Sequence, residues 1–268
     1  MTTGTNPAAE QLFPRLFDIL TDGQSPRLWS FVVTIFGDLA QQEDARISGS
    51  LMGALVARIG AKPEALRVAL HRLRKEGWLE SHKQGRSSDY ALSAWGRAQS
   101  AAASRIIYAA TPPAEQAWLV LHDPADKARE TDSTAHALTN NASVTLHAPT
   151  EDTAALSLPL RPRDPIPAWV QARLCGDELI AASRELEQRL EQVLAHKALI
   201  AEMSALDRMV LRVLIVHSWR RLILKAPDLP PFLFPQTWRG GACAAQVAAL
   251  LTALPQATLD VLAEQAAA

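Results

Sequence analysis

Basic side chains recur at helical spacing between Arg58 and Arg86. This stretch carries eight Lys and Arg residues against three Glu, a local net charge of +5 in a chain whose formal net charge is −1. Lys and Arg neutralise the phosphates of DNA, and Arg or Lys on a helix in the major groove also reads guanine edges. The pattern therefore predicts contact with double-stranded DNA, against the alternative of a solvated charged helix face without a ligand.

The spacing predicts two faces on a helix that spans residues 63–76. The apolar stripe consists of Ala65, Leu66, Ala69, Leu70 and Leu73. Base-edge contacts are assigned to Arg67, His71 and Arg74, which recur at three- and four-residue steps on another face. Phosphate contacts are assigned to Lys62, Arg72, Lys75, Lys83 and Arg86.

The flanking elements complete the expected domain. Gly77 ends the helix, and short strands at residues 78–79 and 90–92 surround a polar tip at residues 83–86, which is typical of a hairpin. Upstream, Ser25 is interpreted as an N-cap before Pro26 in the first turn of one helix, and residues 49–59 form a second helix. Three helices followed by a hairpin predict a winged helix-turn-helix domain.

The rest of the chain divides into two further domains. Strands are predicted at residues 118–122 and 144–147, with a charged stretch at 126–132 interpreted as a short helix between them. Residues 158–169 carry four prolines and are interpreted as a linker, followed by helices over residues 177–224 and a last Ala-rich helix. We predict an α+β, mostly helical fold with an N-terminal domain at 1–111, a small α+β domain at 112–168 and a C-terminal helical domain at 169–268.

Composition narrows the function classes. With 48% hydrophobic and 21% charged residues, the chain is typical of a globular protein, and no apolar run is long enough to span a bilayer, so we expect a cytoplasmic location and no membrane partner. Cys175 and Cys243 are isolated, which predicts neither a disulfide nor a metal site. No motif diagnostic of catalysis occurs, so we expect no enzymatic activity and no cofactor.

Three segments in order resemble the phenylacetate-degradation repressors, the PaaX family of bacterial transcription regulators. Thr34-Ile35-Phe36-Gly37-Asp38 is similar to the end of that family's N-terminal helix. Residues 67–73 (RVALHRL) with residues 76–79 (EGWL) are similar to its recognition helix. His217-Ser218-Trp219-Arg220-Arg221, the Asp-Leu-Pro turn at 228–230 and Trp238-Arg239-Gly240 are similar to its C-terminal signature.

The resemblance implies a winged-helix DNA-binding domain, a central ferredoxin-like domain and a helical C-terminal domain, acting as a homodimer on operator DNA. It also implies repression of catabolic genes that is released by an acyl-CoA thioester such as phenylacetyl-CoA. Two positions depart from the family pattern: Asp89 in the hairpin, and Ala226 before Pro227. The amphipathic run at residues 181–195 could supply a dimer seam or could pack within its own chain.

The candidate effector residues are Trp219, Arg220, Arg221, Trp238 and Arg239. Aromatic rings and guanidinium groups suit the adenine and phosphates of an acyl-CoA, although helix packing is the commoner use of buried Trp. Two other functions stay open at this point. Asp123 at a strand end allows a metal-dependent nuclease of ferredoxin-like type, but one carboxylate cannot hold Mg²⁺ alone. The other alternative is a non-catalytic protein-interaction module.

Overall fold

The computed structural model describes residues 7–84, 87–108, 115–124, 134–147 and 155–267. These residues are mostly helical and include two small antiparallel sheets, which confirms the predicted α+β class. The helices are α1 (Pro7–Thr21), α2 (Leu28–Leu39), α3 (Gly49–Ala57), α4 (Pro63–Lys75), α5 (Ala94–Ile107), α6 (Ala168–Leu174), α7 (Asp177–Leu194), α8 (Lys197–Ile200), α9 (Ala205–Ile223), α10 (Gly240–Ala253) and α11 (Leu259–Ala267). The strands are β1 (Ile47–Ser48), β2 (Leu79–Gln84), β3 (Ser87–Leu92), β4 (Ala117–His122), β5 (His136–Thr139), β6 (Ala142–Thr145) and β7 (Ala155–Leu160).

The first sheet has the strand order β1-β3-β2 and adjoins helices α3, α4 and α5, and α2 packs on α4 and α5. Strand β3 is central: it pairs antiparallel with β2 from Leu79 opposite Leu92, and with β1 at Ile47 opposite Tyr90. Ile47, Leu79 and Leu92 are buried, so this sheet shares a core with the helices around it. The predicted strands at residues 78–79 and 90–92 are thus confirmed in substance, whereas β1 was not predicted.

Helix α4 begins and ends as its sequence indicates. Pro63 lies at the first helical position, where its missing N–H would have no partner, and Glu64 lies in the positive first turn. At the other end, Gly77 has a φ of 79°, the left-handed conformation that glycine adopts without strain. The N–H of Trp78 donates to the Leu73 carbonyl at 2.9 Å, which completes a Schellman motif and confirms Gly77 as the terminator.

Helix α5 is fixed closely to the start of β2. Its N-cap is Ser93, whose hydroxyl accepts a hydrogen bond from the Gly96 N–H at 2.9 Å. A Cβ at position 96 would lie 2.3 Å from the Trp78 carbonyl oxygen, so only glycine permits this approach. Trp78 also packs edge-on against Trp95, with ring centroids 5.0 Å apart. The end of α4 and the beginning of α5 are therefore held together.

The second sheet has the strand order β5-β6-β4-β7 and is antiparallel throughout. One face packs on α6 and on a 3-10 helix at Pro231–Leu233. Its buried core is formed by Ala117, Leu138, Val144, Val170, Leu174, Cys175, Leu229, Leu233 and Phe234. Burial raises the pKa of the Cys175 thiol to about 11, which keeps that thiol protonated and unreactive at neutral pH.

Several local predictions need correction. Ser25 is not an N-cap: α2 begins at Leu28 after Arg27, and the Ser25 hydroxyl points to the Ile59 carbonyl instead. The expected linker at residues 158–169 is partly regular structure, because its beginning completes β7 and its end opens α6. Strands β5 and β7 were missed because each is short or carries a proline. The short helix expected at residues 126–132 falls in 125–133, outside the described residues.

Contacts between Cα atoms divide the chain into two compact units. Unit 1 comprises residues 1–108, 186–221 and 242–268, and unit 2 comprises residues 109–185 and 222–241. The C-terminal third thus contributes to both units, so helices distant in sequence complete the unit that contains α4. Among the described residues, no helix is long and apolar enough to cross a membrane.

Candidate nucleic-acid interface

The outward face of α4 is the candidate nucleic-acid interface. Leu66, Ala69, Leu70 and Leu73 are buried, as predicted, but Ala65 is exposed, so its assignment to the apolar stripe was wrong. Ala65 lies at the border of the stripe, where periodicity alone assigns a small side chain poorly. The exposed basic and imidazole side chains of the segment are Lys62, Arg67, His71, Arg72, Arg74 and Lys75. One helix therefore gathers six of the eight residues to which DNA contacts were assigned.

Two of these arginines are held by neighbours on the same helix. Arg67 donates to Glu64 at 2.9 Å, and Arg72 donates to Glu76 at 2.7 Å. The Arg72 guanidinium also lies 5.0 Å from the centre of the Trp29 ring, a cation–π distance that fixes its direction. Both ion pairs are exposed and therefore weak, so exchanging a carboxylate for a phosphate or a base edge costs little.

The hairpin supplies one further described cation. Lys83 is exposed on β2, whereas Arg86 lies outside the described residues. Asp89, the acidic departure from the family pattern, is half-buried on β3, directly opposite His82 on β2 and Ser48 on β1. Asp89 thus lies on the central strand of the sheet, in register with residues of both neighbouring strands.

The outward face also contains a residue that the sequence analysis missed. Val68 is 70% exposed, although its side chain is apolar. Its signal in the sequence is its phase: it follows Arg67 and falls outside the stripe of Leu66, Ala69 and Leu70. Val68 was missed because the outward face was defined by its charged residues, and a valine carries no charge.

The candidate effector residues fall in both units. In unit 1, Trp219 is 3% exposed and its indole N–H donates to the Ile107 carbonyl at 2.9 Å, so this ring is part of the core. Arg220 donates to the Ser30 carbonyl at 3.3 Å and to the Thr34 hydroxyl at 2.8 Å, while Arg221 is exposed.

In unit 2, Trp238 stacks on Phe234 with ring centroids 5.6 Å apart, and Arg239 is exposed. The Trp238 ring lies so close to Gly240 that a Cβ there would collide with it, and the Arg239 N–H donates to the Ser183 hydroxyl at 3.1 Å. The exposed guanidinium groups of Arg221 and Arg239 are the members of the set with side chains accessible to a solute.

Comparison with known proteins gives two family matches. Residues 27–96 match the model described as PaaX-like protein, and residues 175–264 match the model described as PaaX-like protein C-terminal domain. Together the two regions cover more than half of the chain. The chain belongs to the PaaX-like family.

Two similar proteins extend this result. The transcriptional repressor PaaX of Escherichia coli K12 is 27% identical, over 79% of this chain and 75% of that protein. The solved structure of uncharacterized protein Rv0674 from Mycobacterium tuberculosis aligns with a TM-score of 0.50 at 20% identity, covering 88% of this chain and 97% of that one. At that identity, the second likeness shows a shared fold alone.

The two PaaX-like regions meet in a buried ion pair within unit 1. Asp38, at the C-terminal end of α2, pairs bidentately with Arg212 of α9, at 2.8 and 2.9 Å. The Asp38 carboxylate is fully buried and the Arg212 side chain is 9% exposed. A carboxylate is unfavourable at the negative end of a helix, so the guanidinium compensates both for its burial and for its position.

Other polar groups complete this network. Arg212 also donates to the Leu254 carbonyl at 2.8 Å, next to the end of α10, and Gln256 donates to the Asp38 carbonyl. The Tyr108 hydroxyl donates to Asp38 at 2.8 Å, and burial followed by the charge of Asp38 raises the pKa of Tyr108 far above its usual range. Helix α2 of the first PaaX-like region is thus bound to Arg212, which precedes α10 in the chain, and to Gln256, which follows it.

A second buried contact joins the same helices. The Thr34 hydroxyl and the Nδ1 atom of His217 lie 3.1 Å apart, and Phe31 packs edge-on against the imidazole. Burial, followed by the charges of Arg220 and Arg221, lowers the pKa of His217 to about 3. The imidazole is therefore neutral at physiological pH and acts as a structural hydrogen-bonding group.

A cavity of about 40 Å³ lies beside this network, also within unit 1. Its lining includes Thr34, Ser100, Ser104, Tyr108 and Arg220. That volume admits a few water molecules but not a coenzyme A thioester.

Asp123, the candidate metal ligand, follows the end of β4. The part of the chain described here contains no group of three or more His, Cys, Asp or Glu side chains placed to bind a metal.

Proposed function

We propose that this chain is a DNA-binding transcriptional repressor. The observation that carries the proposal is the outward face of α4, where six basic or imidazole side chains are exposed on a helix with a buried leucine stripe behind it. Such a helix can supply both phosphate and base-edge contacts. The relative named as a transcriptional repressor aligns over 79% of the chain, which supports the same role here.

The proposed DNA-binding domain is a winged helix-turn-helix. Its elements follow in the order α2, β1, α3, α4, β2, β3, and the sheet order β1-β3-β2 places the hairpin beside the helices. In this arrangement α4 enters the major groove as the recognition helix, while Lys83 and Arg86 on the hairpin contact neighbouring phosphates. The stable C-terminus of α4, with Gly77 and Trp78, fixes the helix relative to the hairpin.

Unit 2 is proposed to contain the ferredoxin-like domain. Strands β4 and β5 are both antiparallel to β6, which lies between them, and β7 adds to the free side of β4. The order β7-β4-β6-β5 is the one that a split βαβ arrangement produces. Strands β4 and β5 therefore run in the same direction, as the first two strands of that arrangement do.

DNA binding is tested with duplexes that wild-type protein selects from a random-sequence library. Replacing Arg67 by Ala should reduce discrimination between selected and random duplexes by roughly 1–3 kcal/mol, because a base-edge contact is lost. Lys83→Ala should weaken binding to all sequences alike and lower the salt slope by about 1, because a phosphate contact is lost. Lys197→Ala, an exposed cation on α8, is the matched control and should do neither.

One result would contradict this division of contacts, and another would contradict the repressor function itself. Equal losses for selected and random DNA from Arg67→Ala would assign that residue to phosphates. A shorter DNA product after incubation with Mg²⁺ or Mn²⁺ would indicate the nuclease alternative, whereas a repressor leaves the length of the DNA unchanged.

The repressor is further proposed to control catabolic genes of the phenylacetate type and to release DNA on binding an acyl-CoA thioester. Support comes from the resemblance to the phenylacetate-degradation repressors, with exposed Arg221 of unit 1 and exposed Arg239 of unit 2 as separate candidates for contact with the phosphates of coenzyme A. Titration with phenylacetyl-CoA should release the selected duplex, and Arg221→Ala should raise the concentration required. Release by no thioester at all would exclude this class of effector.

A homodimer is proposed because two-fold operators double a modest winged-helix interface. The amphipathic run of α7 is not the seam that we propose, since its Leu186, Leu190 and Val193 are buried within the chain itself. Sedimentation velocity of the free protein and of its complex with the selected duplex measures the subunit number in each. One subunit per duplex would contradict the dimer.

A further inference from the structure

Val68 is the most exposed large apolar side chain among the residues that the structure describes, and it lies on the candidate nucleic-acid interface. Its neighbours at helical spacing are exposed: the small residue Ala65 and the polar residues Glu64, His71, Arg72 and Lys75. We propose that Val68 is a specificity-determining residue that contacts the C5 methyl group of a thymine in the major groove. This inference rests on the proposed DNA-binding function.

Helix stability does not explain a valine at this position. A β-branched residue loses side-chain freedom in a helix and is a weaker helix former than Ala. An exposed position also gains nothing from burial of its two methyl groups, since 70% of the residue remains in water. The folded chain therefore derives no benefit from Val68 that Ala would not supply better.

Val68 points in a direction that would face the base edges if α4 lay in the major groove. At about 100° per residue, Val68 lies within roughly 30° of the direction opposite the centre of the buried leucine stripe. By the same measure Glu64 and Lys75 lie within roughly 10° of that direction, one turn before and two turns after Val68, whereas Arg67 and Arg74 lie roughly 70° and 90° away. When α4 enters a groove with its outward face first, the short valine approaches the base edges closely while the longer arginines reach from the sides.

The chemistry of the groove offers one complement to such a side chain. The C5 methyl of thymine is the apolar feature that a base pair displays in the major groove. Because the rotamer of Val is largely fixed in a helix, a methyl contact costs little side-chain entropy. A protein partner would require a larger apolar patch, and the residues around Val68 are charged or imidazole-bearing apart from Ala65.

The test uses duplexes selected by the wild-type protein, in which each thymine is replaced in turn by deoxyuridine. This replacement removes only the C5 methyl group. For the wild type, one thymine in each half-site should lose about fourfold in affinity, the effect of one buried methyl group. The same replacement should leave the affinity of Val68→Ala nearly unchanged, because the variant has no partner for that methyl.

Val261→Ala is the matched control, because Val261 is also an exposed helical valine, 44% accessible on α11. It should retain the full fourfold penalty. Equal deoxyuridine penalties in the wild type and in Val68→Ala, with DNA binding intact, would overturn the assignment of Val68 alone. A changed oligomeric state of Val68→Ala would also overturn it by placing the residue in a protein contact. Failure of the wild type to select or shift any duplex would overturn the proposed function and this inference together.

Discussion

Arginine–carboxylate pairs occupy two regions of unit 1 under opposite conditions. On the outward face of α4, Arg67 and Glu64 pair at 2.9 Å with side chains 74% and 71% exposed. In the buried network, Arg212 and Asp38 pair at 2.8 and 2.9 Å with side chains 9% and 0% exposed. The shortest distances are nearly the same, but the buried pair is bidentate, the exposed pair makes a single contact, and the surroundings differ.

The difference determines what each pair can do. Water screens the exposed pair and solvates its members separately, so the arginine is readily exchanged to a new partner. The buried pair cannot be separated without leaving a charge in an apolar environment, so it holds α2 and α9 together. One surface is therefore suited to binding and the other to structure, although both use the same chemical groups.

The largest expected effect is the loss of the buried partner. Arg212→Ala should lower the free energy of unfolding by about 3–5 kcal/mol, because it leaves the Asp38 carboxylate buried without its counter-charge. Urea unfolding followed by Trp fluorescence measures this loss. Asp38→Asn combined with Arg212→Met should be less destabilising than the sum of the single changes, because neither charge remains unpaired.

A decrease of less than about 1 kcal/mol in the free energy of unfolding of Arg212→Ala, the value expected of an exposed pair, would contradict the structural role of the buried pair. Should Arg212→Ala be too unstable to purify, a folded Asp38→Asn/Arg212→Met double variant would still identify the unpaired carboxylate as the cause, and a double variant that also fails to fold would contradict it. Where the single changes can be measured, additivity decides. A double variant as unstable as both single changes added would mean that the two residues stabilise the fold independently.

The second prediction concerns the pH dependence of the buried region. The pKa of His217 is about 3 in the folded chain and 6.5 when unperturbed, so the unfolded chain binds the extra proton between these values. The contribution of neutral His217 to the free energy of unfolding is therefore fully present above pH 6.5. It decreases as the pH falls, by about 2 kcal/mol at pH 5. Unfolding measured at pH 5 and 7 should show this contribution.

His217→Gln isolates that contribution, because glutamine can bond to Thr34 but takes up no proton. Its loss of stability between pH 7 and pH 5 should be about 2 kcal/mol smaller than that of the wild type. His71→Gln, on the exposed face of α4, is the control and should follow the wild-type profile. Identical profiles for all three proteins would show that His217 is not the group that titrates.

The smallest expected effect belongs to the exposed pair. Arg67→Ala should change the free energy of unfolding by no more than about 0.5 kcal/mol, since a solvated pair three residues apart on a helix contributes about that much. The same variant is expected to lose DNA selectivity, so stability and binding should separate at this position. A loss of 2 kcal/mol or more in urea unfolding would show that Arg67 has a structural role.

Local patterns in the sequence predicted much of the candidate interface. The leucine phase, Pro63 and Gly77 determine where α4 begins and ends and which side is buried, because these signals act over one or two helical turns. Ala65 was assigned wrongly, because the burial of a small residue at the border of a stripe depends on what packs beside it. Val68 was overlooked, because the outward face was defined by its charged side chains. The family resemblance, based on separate motifs, was confirmed by two family matches.

The buried pair of Asp38 and Arg212 could not be predicted from the sequence, although each residue shows a local signal of burial. Arg212 is a lone charge in the apolar run from Met209 to Val216, and Asp38 ends the apolar helix α2. Each charge indicates a buried partner, because an unpaired charge in such surroundings is too costly. The pattern does not say which partner, since the two residues are 174 positions apart in the chain.

The sequence by itself determined the helix α4, its basic side chains, the hairpin after it and the membership of the family, because each depends on local periodicity or on contiguous motifs. Only the tertiary structure decided that α9 to α11 complete the unit that contains α4 and that Asp38 and Arg212 neutralise each other. Burial and pairing depend on which distant segments meet, and this information is spread over the whole chain.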